Sequence, residues 1–139
     1  MNISIQNKLI ECALLNANRY KLSAAVVYKG HMVSIGVNQN KTHPIMNADA
    51  YKDEQIFLHA EADAIQKALK ILSPQQLSRC DLYIVRVKRS DCQTKWITGL
   101  AKPCAGCSQL IRKFNIKNVY YSVEKEVDSN DICVSIKYS

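Results

Sequence analysis

"KPCAGCSQLIRKFNIKNVYYSV", Lys102 to Val123, is the stretch whose reading decides the fold. Its first half carries Leu110, Ile111 and Phe114 on one face of a helix that should begin around Pro103. Its second half, "NVYYSV", is β-branched and aromatic and reads as a strand. Upstream, "CDLYIVRV" from Cys80 to Val87 has the same character. Strand, helix and strand in this order make a βαβ unit, so the two strands should run parallel. Only "EKEVDSND" separates Val123 from the final strand-like run, "ICVSIKY". That connection is too short for a parallel crossover, so the last strand is expected to run antiparallel to the one before it.

Outward from this unit, "LSAAVVY" and "HMVSIGV" flank Lys29-Gly30, which is the pattern of a β-hairpin. Ile10, Ala13, Leu14 and Ala17 predict an amphipathic first helix ending near Asn18. Leu58, Ala62, Ile65, Leu69 and Leu72 predict a second helix, stopped by Ser73-Pro74. Between Asn38 and Leu58 periodicity is lost, and a loop of that length is either functional or hides a short helix. A polar loop through Trp96 and Gly99 follows the third strand. The order α-β-β-α-β-α-β-β predicts an α/β fold: one mixed five-stranded sheet with helices on both faces and the last strand antiparallel. Residues 1–139 are expected to form a single domain.

Composition narrows the class. With 47% hydrophobic and 22% charged residues the chain has the balance of a globular protein, and it contains no apolar run long enough to span a membrane. The N-terminus, "MNISIQNKLIEC", lacks the basic and apolar regions of a secretory signal, so the expected location is the cytoplasm. In that reducing compartment the cysteines are expected to be free thiols, with Cys12, Cys80, Cys92 and Cys133 acting as small buried hydrophobes. The net charge of +7 favours anionic partners, either nucleotides or nucleic acid, without choosing between them. No block of five like charges marks a nucleic-acid-binding tail.

Two short motifs carry chemistry. "LHAEADAI" puts His59 and Glu61 at the start of the second helix, and "PCAGC" puts Cys104 and Cys107 at the start of the third. A histidine and two thiolates make a three-ligand set for Zn²⁺ that leaves the fourth tetrahedral position open, as catalytic rather than structural sites do. Thiolates at a helix start are favoured by the helix dipole. Glu61 is too close in sequence to His59 to serve well as a fourth ligand, and can act instead as a general acid/base. Alternative readings are a redox Cys-x-x-Cys pair or a structural zinc knuckle with Cys80, Cys92 or His43 as the fourth ligand. Neither gives Glu61 a task.

His59-Ala60-Glu61 followed by Pro103-Cys104-Ala105-Gly106-Cys107 matches the H-x-E … P-C-x-x-C signature of zinc deaminases. The chain resembles the cytidine and deoxycytidylate deaminase superfamily, with agreement in element order from about Leu22 to Val123. That resemblance implies the three-layer cytidine-deaminase-like fold and a zinc-dependent hydrolytic deaminase. In it, His59, Cys104 and Cys107 hold the metal and Glu61 shuttles protons. It also implies that Asn38 contacts the sugar hydroxyls and that the backbone N–H of Ala60 lies near the base carbonyl. The expected substrate is a small-molecule cytosine nucleotide or nucleoside, with dCMP favoured. Lys41, His43, Lys95 and Lys102 are candidates to face a phosphate, and Trp96, Tyr51 and Phe57 to stack on a base. The segment "NQNKTHP" departs from the pattern of nucleotide enzymes, which have Gly and Pro shortly after the asparagine, and has Asn40 where free-nucleoside enzymes place a glutamate. An editing deaminase acting on tRNA adenosine or single-stranded cytosine is the alternative, and a non-catalytic zinc domain the third reading. A homo-oligomer is the expected assembly.

Overall fold

A computed structural model describes residues 3–17, 21–39, 59–92, 95–116, 118–129 and 131–137. The first helix, α1, spans Ile3–Leu14, and its apolar stripe of Ile5, Leu9, Ile10 and Ala13 is buried. It ends earlier than expected; Asn18 lies outside the described residues. Strands β1 (Lys21–Tyr28) and β2 (His31–Val37) form the expected antiparallel hairpin. Its two turn residues, Lys29 at φ 51° and Gly30 at φ 80°, both adopt the left-handed conformation that a tight hairpin turn demands.

Helix α2 covers Ala60–Ala68 and is capped at Leu69, short of the expected stop at Ser73-Pro74, which instead starts a one-turn helix, α3 (Pro74–Leu77). There the Ser73 hydroxyl accepts from the Gln76 N–H, and the Gln76 side chain accepts from the Ser73 N–H, a reciprocal capping box. Strand β3 (Asp81–Arg89) follows, then β4 (Trp96–Gly99), helix α4 (Ala105–Lys113), and strands β5 (Asn118–Ser122), β6 (Lys125–Glu126) and β7 (Cys133–Lys137).

The five expected strands pair as β2-β1-β3-β5-β7. β3 and β5 are parallel, and β7 is antiparallel to β5, as the loop lengths require. Two additional short strands bring the sheet to seven. The far edge of β3 is divided: its first half pairs with β5 and its second half with β4, and β6 pairs with β4 in turn. At the division the Ser122 hydroxyl accepts from the Arg86 N–H at 3.0 Å and donates to the Gly99 carbonyl at 2.6 Å. It thereby ties β3 to β4 from the last residue of β5.

Helices lie on both faces. Ala24, Val26, Leu82 and Ile84 project to one side, against α2 and α4. Ala25, Val27, Tyr83, Val85 and Val87 project to the other, against α1. This is the period-2 alternation of a sheet buried on both faces. Among the described residues no helix is long and apolar enough to cross a membrane.

Candidate metal centre

Helix α2 is buried almost all the way round, including both carboxylates of its first turn, Glu61 and Asp63. A helix with an ordinary solvated face would not hide them. Its alanines give it the slim profile to lie close on the sheet, and Gly36 of β2 makes the approach possible. A Cβ at Gly36 would stand 2.3 Å from the Ala64 nitrogen and 2.5 Å from the Ala60 carbonyl oxygen. Three polar contacts fix the docking. Ser34 Oγ donates to the Ala64 carbonyl (2.7 Å), Lys67 Nζ to the Ile35 carbonyl (3.2 Å), and the Val37 N–H to Asp63 Oδ2 (3.1 Å).

His59 is the N-cap residue of α2, and its ring makes no cap hydrogen bond, so the imidazole is not spent on the helix end. Cys104 is the N-cap of α4, which begins two residues after the expected start at Pro103, and its sulfur accepts from the Cys107 N–H. The segment leading to it is held by the Ala101 N–H, which donates to the Ser122 carbonyl at 3.0 Å. The two helix starts therefore converge. His59 Nδ1 lies 3.3 Å from Cys104 Sγ and 3.4 Å from Cys107 Sγ, and the three ligand atoms all fall within 4.8 Å of one another.

Those distances test whether zinc fits. A tetrahedral ion with sulfur and nitrogen at their usual bond lengths separates its ligand atoms by about 3.5 Å. The His59 edges are within a few tenths of an ångström of that. Among the described residues no fourth His, Cys, Asp or Glu joins the group. Cys80, offered above as a structural ligand, instead donates its thiol to the Gln76 carbonyl, and Cys92 is exposed in the β3–β4 connection. His43 lies outside the described residues.

The electrostatics are those of thiols prepared for a cation. The Cys107 thiol hydrogen-bonds to Cys104 and, with help from His59, pulls the Cys104 pKa down to about 4 against its partial burial. Cys107 itself is pushed well up, first by that same bond to Cys104 and then by burial. Metal binding requires both sulfurs as thiolates, so loading the site would release protons. Glu61, 4% exposed, has its pKa raised by burial, with a Cys107 hydrogen bond among the smaller opposing effects. A carboxyl group beside the cluster and shifted towards neutrality is suited to proton transfer.

Asn38 directly follows β2, and its Oδ1 accepts from the Leu22 N–H (3.0 Å) and from Asn16 Nδ2 (2.6 Å). Ala60, 1% exposed, is the first residue of α2. Trp96 is corrected: it packs with the α1-side cluster, on the sheet face opposite α2 and α4, with the Arg89 guanidinium 4.2 Å from its ring. It is not brought to the metal centre. Lys95 is exposed and paired with Glu126 at 2.6 Å, and Lys102 is exposed. Lys41, Tyr51 and Phe57 lie outside the described residues. All six cysteines are free, but only Cys80, Cys107 and Cys133 are buried; Cys12 is half-buried and Cys92 exposed, so the expectation of buried thiols fails for those two. Cys92 stands on a hairpin connection that β4 creates, which no apolar run announces. Gly36, Asp63 and Ser122 were not foreseen, although the unusual pair of acids in "HAEAD" was the available signal for Asp63.

The family of the cytidine and deoxycytidylate deaminase zinc-binding region matches residues 4–123. Among solved structures, the dCMP deaminase of cyanophage S-TIM5 in apo form is 25% identical. That match covers 92% of this chain and 90% of the other, with a TM-score of 0.53. The same enzyme in complex with dCMP and dUMP is 26% identical over 90% and 85% of the two chains, with a TM-score of 0.52. No curated protein sequence matches. The match spans most of the chain and includes both motifs of the centre, so this chain belongs to the cytidine and deoxycytidylate deaminase family and is a hydrolytic deaminase.

Proposed function

We propose that this enzyme converts dCMP and water to dUMP and ammonia, with one zinc ion held by His59, Cys104 and Cys107. The observation that carries the reading is the convergence of three ligand atoms within 4.8 Å beside a buried carboxyl group. The choice of a cytosine nucleotide rests on the likeness to a deaminase that binds dCMP and dUMP. A bound zinc supplies the positive charge that makes water nucleophilic near neutral pH.

The remaining work falls to the chain. Glu61 takes a proton from the attacking water and delivers it to the ring nitrogen beside the amine-bearing carbon. It then takes the remaining proton of the newly added hydroxyl, which becomes the carbonyl, and passes it to the amine so that it leaves as ammonia. Its raised pKa brings proton gain and loss closer to balance at neutral pH than an exposed carboxylate allows. Asn38 contacts the sugar, whose free hydroxyl in dCMP is the 3′-OH, and the Ala60 N–H donates to the base carbonyl. Both flank the start of α2, so the base would be oriented by the same helix that carries the proton shuttle.

Purified zinc-loaded protein is assayed for ammonia release from dCMP, CMP, deoxycytidine, cytidine, cytosine, single-stranded DNA and tRNA. Release from dCMP well above the nucleosides is expected; release confined to nucleic acid would sink the reading in favour of the editing alternative. Glu61→Ala should keep its zinc while losing activity at or beyond the upper end of the about 10²–10⁴-fold that general acid–base catalysis contributes. Loss of zinc in that variant would make Glu61 a ligand instead.

A further inference from the structure

We propose that Asp63 is a positioning residue, coupling the helix that carries His59 and Glu61 to the substrate-contacting Asn38. The proposal rests on the reading of Asn38 as a sugar contact. Asp63 is 4% exposed, and its Oδ2 accepts from the Val37 N–H at 3.1 Å and from Lys67 Nζ at 2.9 Å. Val37 is the last residue of β2, and the next residue is Asn38. Asn38 is itself oriented from the other side, by the Leu22 N–H and Asn16 Nδ2 on its Oδ1. One hydrogen bond therefore ties the first turn of α2 to the backbone amide immediately before Asn38, whose own side chain is held separately from Asn16 and Leu22.

Docking alone does not account for a carboxylate here. Gly36 and Ser34 already fasten α2 to β2 without it, while Lys67 reaches the Ile35 carbonyl as the ion-pair partner of Asp63. Burying a carboxylate is costly and is tolerated where a charged acceptor holds a specific donor. Asp63 holds two donors, the Lys67 ammonium and the Val37 amide, and the second is the backbone group just before Asn38 at the end of β2. Residues 61 and 63 are two apart on a helix and so point in different directions. Glu61 is directed towards the thiols and Asp63 towards the strand end. A sugar held by Asn38 is thereby kept in register with the carboxylate that moves the protons, and small misplacements of reacting groups are costly.

The test compares Asp63→Ala with Asp63→Asn, whose amide oxygen can still accept from Val37. Asp63→Leu, closer in volume, serves if the alanine variant does not fold. In Asp63→Ala, KM for dCMP should rise about tenfold, the equivalent of about 1.4 kcal/mol, with kcat changed less than KM and zinc retained at one per chain. Asp63→Asn should restore most of the KM. Wild-type protein measured alongside tests the dCMP reading itself, since an inactive wild type fails that reading alone. A second readout needs no turnover: titrating zinc into metal-free protein should shift the NMR signals of the Val37 and Asn38 amides in wild type and not in Asp63→Ala. Persistence of that shift in the alanine variant overturns the proposal. So does an unchanged KM with only a lowered Tm, or an asparagine variant as impaired as the alanine one.

Discussion

Replacing Gly36 with alanine would put one methyl group between β2 and α2. The three nearest atoms to that methyl are all backbone: the Ala64 nitrogen at 2.3 Å, the Ala60 oxygen at 2.5 Å and the Asp63 carbonyl carbon at 2.9 Å. No side chain can rotate away, so the helix must lift by about 1 Å to reach ordinary van der Waals contact. Overpacking of this kind costs about 1–3 kcal/mol and occasionally more, and the backbone location argues for the upper end. For a chain of this size that is a fall in Tm of about 10 °C, measurable by calorimetry. The lift also displaces His59 and Glu61, which ride on the same first turn, while Cys104 and Cys107 stay with α4. A misplacement of about 1 Å can cost 10²-fold in rate, so kcat/KM should fall by about that factor in the fraction that remains folded. Zinc affinity should fall with it. A Gly36→Ala protein within 2 °C of wild-type Tm and with wild-type kcat/KM would refute the claim that this contact sets the site.

Removing the metal gives a second expectation. If free zinc stands a thousandfold above its dissociation constant, chelation withdraws about 4 kcal/mol of stability, a Tm loss of about 15 °C. The same chelator should do nothing to Cys104→Ser/Cys107→Ser, and undiminished zinc in that variant would reject the ligand assignment. A third concerns thiol reactivity in metal-free Cys92→Ser protein, where the exposed competing thiol is gone. Cys104, with its pKa lowered to about 4, is ionised throughout the window above that value, so its alkylation by iodoacetamide should be nearly flat from pH 6 to 8. Cys80 and Cys133, pushed up to about 11 and about 12 by burial, should stay unmodified, and zinc should protect Cys104. A rate for Cys104 rising tenfold per pH unit across that range would contradict the lowered pKa; peptide mass mapping reads both.

The parts of the fold that were legible are those written in local pattern. Lys29-Gly30 announces its turn because both residues need positive φ, and the length of "EKEVDSND" dictates the antiparallel β7. The two motifs were legible because ligand chemistry restricts residue type and spacing together. What escaped depends on partners distant in sequence. β4 is four residues long and β6 two, too short for alternation to register. Gly99 looks like a loop glycine, yet it sits in β4, where an added Cβ would meet the Arg86 and Lys88 side-chain stems at 3.3 Å. With β4 unassigned, the parity that sends Trp96 to the α1 face could not be counted. Asp63, Gly36 and Ser122 gain their roles only when β2, α2 and the divided edge of β3 are assembled.

That assembly explains why the site needs a sheet at all. The three ligand atoms come from two helix starts, and the sheet fixes one to the other. α2 is clamped at β2 by Gly36, Ser34, Lys67 and Asp63, while the approach to α4 is clamped by Ser122 where β3, β4 and β5 meet. Between the clamps lie β1 and β3, whose inward side chains on this face, Ala24, Val26, Leu82 and Ile84, are fully buried. Close-packed interiors transmit displacement instead of absorbing it. Injury to either clamp should therefore reach the geometry of His59, Cys104 and Cys107 before it reaches the fold as a whole. Zinc content at fixed temperature is then the more sensitive reporter of damage at β2 or Ser122, and global unfolding the less sensitive one.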